Sequence, residues 1–125
     1  MKKVINSSNA PAPIGPYSQS VLVNGFLFVS GQIPLDAKTG ELIIGDISIE
    51  TQKVMNNLEA ILLEAGATWN NVVKCSIFIK NMSDFGKIND IYGKYFPENP
   101  PARETVEVSR LPKDVNVEIS LIAAI

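Results

Sequence analysis

The chain has 125 residues, 46% hydrophobic and 19% charged, with a net charge of −2 and a pI of about 5.1. That is the size of one ordinary soluble domain, spanning residues 1–125, and it lacks the dense basic face that nucleic-acid binding needs. One cysteine, no histidine and no long apolar run exclude an intramolecular disulfide, a Ser-His-Asp or Cys-His pair, an ordinary zinc site and a membrane-spanning helix.

Met1-Lys2-Lys3 is a charged start, but Asn6-Ser7-Ser8-Asn9 follows too soon to allow the apolar stretch of a signal peptide. With Cys75 alone, the chain reads as cytoplasmic. Asn9 to Pro16 holds three prolines within six residues and is a loop. Strand patterns follow at Ser20 to Val23 and Phe26 to Ser30, joined by the hairpin signal Asn24-Gly25. Asp36 to Gly40 is a further turn. A helix is predicted from about Ser48 to Ala65, because Val54, Leu58, Ile61, Leu62 and Ala65 fall on one face, with Gly66 placed to cap its end. Val73, Cys75, Ile77 and Ile79 alternate with polar or outward residues as a strand does. A second helix starts near Ser83 or Asp84, carries Phe85, Ile88, Tyr92, Tyr95 and Phe96, and stops by Pro97. Strands over Arg103 to Ser109 and Val115 to Ala124 close the chain.

This order implies an α+β fold with two helices on one face of a mixed, mostly antiparallel sheet. The strands carry apolar residues at both parities, as at Ile119, Leu121 and Ile122. The second sheet face is therefore expected to pack against other subunits.

No Gly-rich phosphate loop is present. Any catalysis must therefore use carboxylates, hydroxyls, backbone amides and the two arginines, Arg103 and Arg110. Arg103 sits in a strand, where its guanidinium is a fixed, always-charged fork that matches a carboxylate. Strand alternation puts Arg103, Thr105 and Glu107 on one face and Glu104, Val106 and Val108 on the other. In the last strand, Glu118 faces away from Val117, Ile119 and Leu121. If that apolar set lies under the helices, Arg103 and Glu118 can meet on neighbouring strands in one cleft, whether within one subunit or completed by a neighbour; the pair also reads as a plain ion pair or two solvated charges. Gly31 ends a strand and either admits a ligand close to the backbone or serves a turn. Asn89 interrupts the apolar stripe of the second helix, an uncommon choice unless it hydrogen-bonds something. Cys75 reads as inert core.

Ile14-Gly15-Pro16-Tyr17-Ser18-Gln19, Val29-Ser30-Gly31-Gln32-Ile33-Pro34, Asp84-Phe85 with Asn89 and Tyr92, and Pro101-Ala102-Arg103 together resemble the RidA (YjgF) family. So do Val106-Glu107-Val108, Arg110-Leu111-Pro112-Lys113-Asp114 and Val117-Glu118-Ile119, and the likeness spans nearly the whole chain in order. The resemblance implies a chorismate-mutase-like fold, a homotrimer with clefts between subunits, and no metal or cofactor. It implies hydrolysis of reactive enamines and imines, such as 2-aminoacrylate, 2-iminopropanoate and 2-iminobutanoate, to 2-oxo acids and ammonia. By position, Arg103 corresponds to the arginine that holds the substrate carboxylate and Glu118 to the carboxylate that positions or activates water. Tyr17, Ser30, Gly31 and Asn89 correspond to other substrate-binding positions. Thr105 stands where many members have cysteine, its backbone amide still available to a ligand. Glu104 replaces a small polar residue, with a parity that points it away from the cleft. The competing readings are a non-catalytic module that binds 2-oxo acids, a ribonuclease or translation inhibitor, and a chorismate mutase.

Overall fold

The computed structural model describes residues 1–125. In chain order it contains β1 (Lys3–Ile5), β2 (Ser20–Val23), β3 (Phe26–Gln32), α1 (Ile47–Glu64), β4 (Val72–Ile79), α2 (Phe85–Gly93), β5 (Ala102–Glu107) and β6 (Val117–Ala124). Short 3₁₀ turns lie at Trp69–Asn71, Met82–Asp84 and Pro112–Asp114. The six strands form one sheet in the order β1-β2-β3-β6-β4-β5. Every neighbouring pair is antiparallel except β4 and β5. Parallel neighbours need a crossover connection, and α2 lies within it. The fold is α+β with two helices and a mixed sheet.

Local chemistry accounts for most of these elements. Asn24 and Gly25 both take positive φ, 50° and 79°, as the twist-matching two-residue hairpin turn requires. The Asp46 side chain caps α1 by accepting from the amides of Ser48 (2.9 Å) and Ile49 (3.3 Å). Helix α1 therefore begins one residue before the expected Ser48. At its other end Gly66 adopts φ 76°, and the Ala67 amide reaches back to the Leu62 carbonyl at 2.9 Å. The start of α2 is set by Asn81, which caps a preceding 3₁₀ turn through the Ser83 amide. The helix ends at Gly93, four residues short of Pro97. Beyond it the chain tightens into i→i+3 bonds while Tyr95 and Phe96 pack against Trp69, with ring centroids 4.8 and 5.5 Å away.

Three features of the sheet depart from the sequence pattern. Strand β1 was not foreseen: three residues are too few to show alternation, and it is defined by pairing with β2, where Ile5 faces Ser20. The register of β4 against β6 shifts between Val72 and Lys74, so Val72 is buried and Val73 is 44% exposed. This irregularity breaks the alternation expected of Val73 and Cys75. Finally, β5 and β6 are shorter than expected, running Ala102–Glu107 and Val117–Ala124.

The core lies between the helices and one sheet face, where Leu27, Val29, Cys75, Ile77, Ile79, Ile119 and Leu121 meet Val54, Leu58, Ile61, Leu62 and Ile88. A smaller group, Ile33, Leu35, Leu111 and Val115, ties the chain after β3 to the approach to β6. The buried Asn57 amide steadies it by donating to the Ile33 and Leu35 carbonyls at 3.1 and 3.0 Å. On the opposite sheet face Val4, Phe26, Phe28 and Val106 are each more than 40% exposed. No helix is long and apolar enough to cross a membrane.

Candidate functional site

The expected site residues fall into two groups. The first surrounds Arg103 on β5. Its register partner on β4 is Cys75, which in turn faces Leu121 on β6. Both partners are buried on the helix side, so Arg103 projects to that side as well. Its Nη1 donates to Asn89 Oδ1 at 2.7 Å. Its guanidinium carbon lies 5.6 Å from the Phe85 ring centroid and 5.0 Å from that of Tyr92. The polar interruption at Asn89 is thus explained by Arg103. Thr105, two residues further along β5, shares this face, and its buried hydroxyl has no hydrogen-bond partner. The Tyr92 hydroxyl is also buried and unsatisfied; burial beside Cys75 pushes the phenol far above its ordinary range. Burial likewise pushes the Cys75 thiol up to about 11, consistent with an inert core cysteine.

Arg103 is half-buried and has no carboxylate partner. The ion pairs of the chain are Lys53–Asp36, Lys74–Glu104 and Arg110–Asp114. A guanidinium without an anion keeps N–H donors that can take a carboxylate through charge-assisted hydrogen bonds. Glu104 does not compensate it. As its parity predicts, Glu104 lies on the open sheet face, paired with Lys74 at 3.1 Å and accepting from the Ser76 hydroxyl.

The second group surrounds Glu118 on β6, opposite Phe78 of β4. Glu118 is half-buried on the open face, and burial raises its carboxyl above the usual range. Beneath it runs Gly31, at an irregularity where the register of β3 against β6 shifts between Val29 and Gln32. A Cβ on residue 31 would sit 2.5 Å from Glu118 Oε2 and 2.7 Å from its Cδ. A side chain at residue 31 would therefore have to displace the Glu118 carboxylate, a constraint that the sequence did not show. Ser30 is anchored by its hydroxyl to the Ser18 carbonyl at 2.6 Å and by its amide to the Gln19 carbonyl at 2.9 Å. Tyr17 is 46% exposed, its hydroxyl accepting from the Ile14 amide at 3.2 Å. It shares a narrow crevice with Gly31.

Gln19 is a positioning residue to which the sequence assigned no role. Its buried amide accepts from the Ser7 amide (2.7 Å) and donates to the carbonyls of Ser7, Ala10 and Pro11. These bonds hold the proline loop against β2 and so place Tyr17. A glutamine beside a proline-rich loop is the only sequence signal of this role, and it is a weak one.

The expectation that Arg103 and Glu118 meet on neighbouring strands is corrected by the structure. Strand β4 separates β5 from β6, two strand spacings or about 10 Å. The two side chains also leave opposite sheet faces and lie in different rows, Arg103 with Cys75 and Glu118 with Phe78. Parity within a strand says nothing about which strands adjoin or how their faces are phased. The same geometry removes the reading of the two as an ion pair within one chain. One molecule therefore carries two separate groups, each termed a half-site for its unpaired charge: a cation with Asn89 and Thr105, and a carboxylate near Gly31, with Tyr17 and Ser30 on the adjoining chain.

Comparison with known proteins bears on the family and the fold. A RutC family protein of Pyrococcus horikoshii is 54% identical over 123 residues, covering 98% of each chain. The rat 2-iminobutanoate/2-iminopropanoate deaminase is 45% identical over 98% of this chain and 90% of its own. The structure of a conserved Rid family protein from Yersinia pestis is 49% identical and superposes with a TM-score of 0.97 over the full length of both chains. The family model described as endoribonuclease L-PSP matches residues 7–125. With the motifs, the fold and these relatives in agreement, the chain belongs to the RidA (YjgF) family.

Proposed function

We propose that this protein hydrolyses reactive 2-imino acids, the 2-aminoacrylate/2-iminopropanoate and 2-iminobutanoate class, to 2-oxo acids and ammonia. The observation that carries this reading is the half-buried Arg103 with no anion of its own. A small acid supplies the missing carboxylate. The activity named for the rat relative is the reaction the second half-site suits.

In this reading Arg103 grips the substrate carboxylate, and the Thr105 backbone amide adds a contact. The bound imine is already electrophilic at C2. Glu118 accepts a proton from water as the water oxygen bonds to C2, giving a carbinolamine, and returns that proton to the nitrogen. Glu118 next takes the carbinolamine hydroxyl proton and delivers it to the amine, so that the C–N bond breaks, ammonia leaves and the C2 carbonyl forms. The sum is imine plus water giving ketone plus ammonia, with no redox change. A carboxyl pushed upward by burial is better matched to this proton exchange than an ordinary one.

The two half-sites lie on opposite faces of one sheet, so the reading requires two copies: Arg103, Asn89 and Thr105 from one, and Tyr17, Ser30, Gly31 and Glu118 from its neighbour. We propose a homotrimer with its clefts at the subunit boundaries. The exposed Val4, Phe26, Phe28 and Val106 of the open face support the association. A cytoplasmic location fits the single, buried Cys75.

The test couples a serine/threonine dehydratase to this protein and follows 2-oxo acid release. Acceleration over spontaneous imine hydrolysis is expected; a rate unchanged by added protein refutes the reading. A non-catalytic 2-oxo-acid binder would use the same arginine, and the half-site around Arg103 suits it. Glu118→Gln separates the two: an enzyme loses turnover and keeps 2-oxobutyrate binding, whereas a binder has no turnover to lose. The acidic pI and absence of histidine disfavour a ribonuclease.

A further inference from the structure

Phe85, Asn89 and Tyr92 stand at positions i, i+4 and i+7 of α2 and so share one helix face. All three touch the Arg103 guanidinium: Asn89 Oδ1 takes Nη1 at 2.7 Å, while the ring centroids of Phe85 and Tyr92 lie 5.6 and 5.0 Å from its central carbon. The chain offers no hydrogen bond to Nε or Nη2. We infer that these three residues form a bracket that fixes the plane of Arg103 and presents its Nε–Nη2 edge to a carboxylate, making Phe85 and Tyr92 positioning residues for substrate acids. The inference rests on the reading of Arg103 as the substrate anchor.

Physical chemistry supports this division of labour. A guanidinium is flat and weakly hydrated and stacks on aromatic faces as an ammonium does not. One hydrogen bond at Nη1 fixes rotation in the plane, and two rings restrict tilt out of it. Less freedom is then lost when an acid arrives. Tyr92 is well suited to this role by its ring alone, since its hydroxyl is buried without a hydrogen-bond partner. Phe85 is 37% exposed, so it reaches the guanidinium from the solvent side while Tyr92 backs it from the core.

The experiment measures binding of 2-oxobutyrate and of its uncharged analogue 2-oxobutyramide by calorimetry, in the wild type and in Phe85→Leu, Tyr92→Leu and Tyr92→Phe. The wild type should prefer the acid. Phe85→Leu and Tyr92→Leu should each narrow that preference about three- to tenfold, with amide binding unchanged, and Tyr92→Phe should match the wild type. In the dehydratase-coupled assay the same two leucine variants should raise KM while kcat holds. A purely structural role would weaken acid and amide together, and that result overturns the inference. So does an unmoved acid-to-amide ratio, or a wild type with no preference for the acid. Should Tyr92→Leu fail to fold, Phe85→Leu decides, because its side chain lies at the surface. If the wild type binds acid but hydrolyses no imine, the deaminase reading falls while the bracket is still judged by the acid-to-amide ratio.

Discussion

Arg103 and Glu118 are each left electrostatically incomplete by their own chain, and this is where substitution is most informative. Arg103→Ala removes the only cation of its half-site without emptying the core. We expect a folded protein whose imine hydrolysis falls by the equivalent of about 2–5 kcal/mol of transition-state stabilisation; near-wild-type rates in the coupled assay would contradict the anchor role. Glu118 makes a prediction about stability. Its folded pKa is raised above the ordinary 4.5 by burial, so the native chain holds this proton more tightly than the unfolded one. Stability from this group is then full at low pH and declines as pH rises through the raised value. Glutamine has no charge to desolvate. Glu118→Gln should therefore melt higher than wild type near pH 7, with the difference vanishing near pH 4. A gap of constant size across that range would show that burial of the charge is not responsible. Single residues were partly legible in the sequence. Asn89 stood out because it broke an apolar stripe, and its partner proved to be Arg103. Gly31 stood out as a glycine at a strand end, but the carboxylate above it lies 87 positions away in the chain and no local pattern names it.

Among the elements, the close approach of β3 to β6 is the most demanding feature of the Glu118 half-site. Gly31→Ala places a methyl where Glu118 Oε2 and Cδ now lie, at 2.5 and 2.7 Å. The carboxylate is the part free to move, so the substitution should displace it and leave the sheet intact. We expect wild-type-like circular dichroism and a loss of imine hydrolysis comparable to Glu118→Gln; retained turnover would show that the exact seat of the carboxylate is unimportant. Elements written in local chemistry were readable: the Asn24-Gly25 hairpin, the apolar stripe of α1 and its Gly66 cap. Elements defined by distant partners were not. The three residues of β1 become a strand only through β2, and the register shift at Val72–Lys74 reverses the parity of Val73. The early end of α2 follows from aromatic packing on Trp69.

At the scale of the whole molecule, the sheet order was the decisive unknown. Fold class follows from the succession of strands and helices, but the order β3-β6-β4-β5 depends on long-range pairing. That order holds Arg103 and Glu118 apart. If neighbouring copies complete the site, two inactive variants should rescue each other. Arg103→Ala chains still supply Glu118, and Glu118→Gln chains still supply Arg103. After equal mixing and subunit exchange, random assembly restores about a quarter of the clefts to wild-type composition. Activity near that fraction is expected from the mixture, with almost none from either variant alone. A mixture as inactive as its components, after verified subunit exchange, would refute the sharing of one cleft by Arg103 and Glu118 of different copies.

The two half-sites also differ in how they are written along the chain. Phe85, Asn89, Tyr92, Arg103 and Thr105 all fall within the contiguous β4–α2–β5 stretch, residues 72–107. Tyr17, Ser30 and Gly31 come from before it, and Glu118 from after it. Replacement of that one internal segment by its counterpart from a relative would therefore exchange the Arg103 group as a unit. The Glu118 group, assembled from both flanks, would keep its own residues and change only at the β4 strand that Glu118 faces at Phe78. The unpaired cation and the unpaired carboxylate are thus carried by separable stretches of this chain.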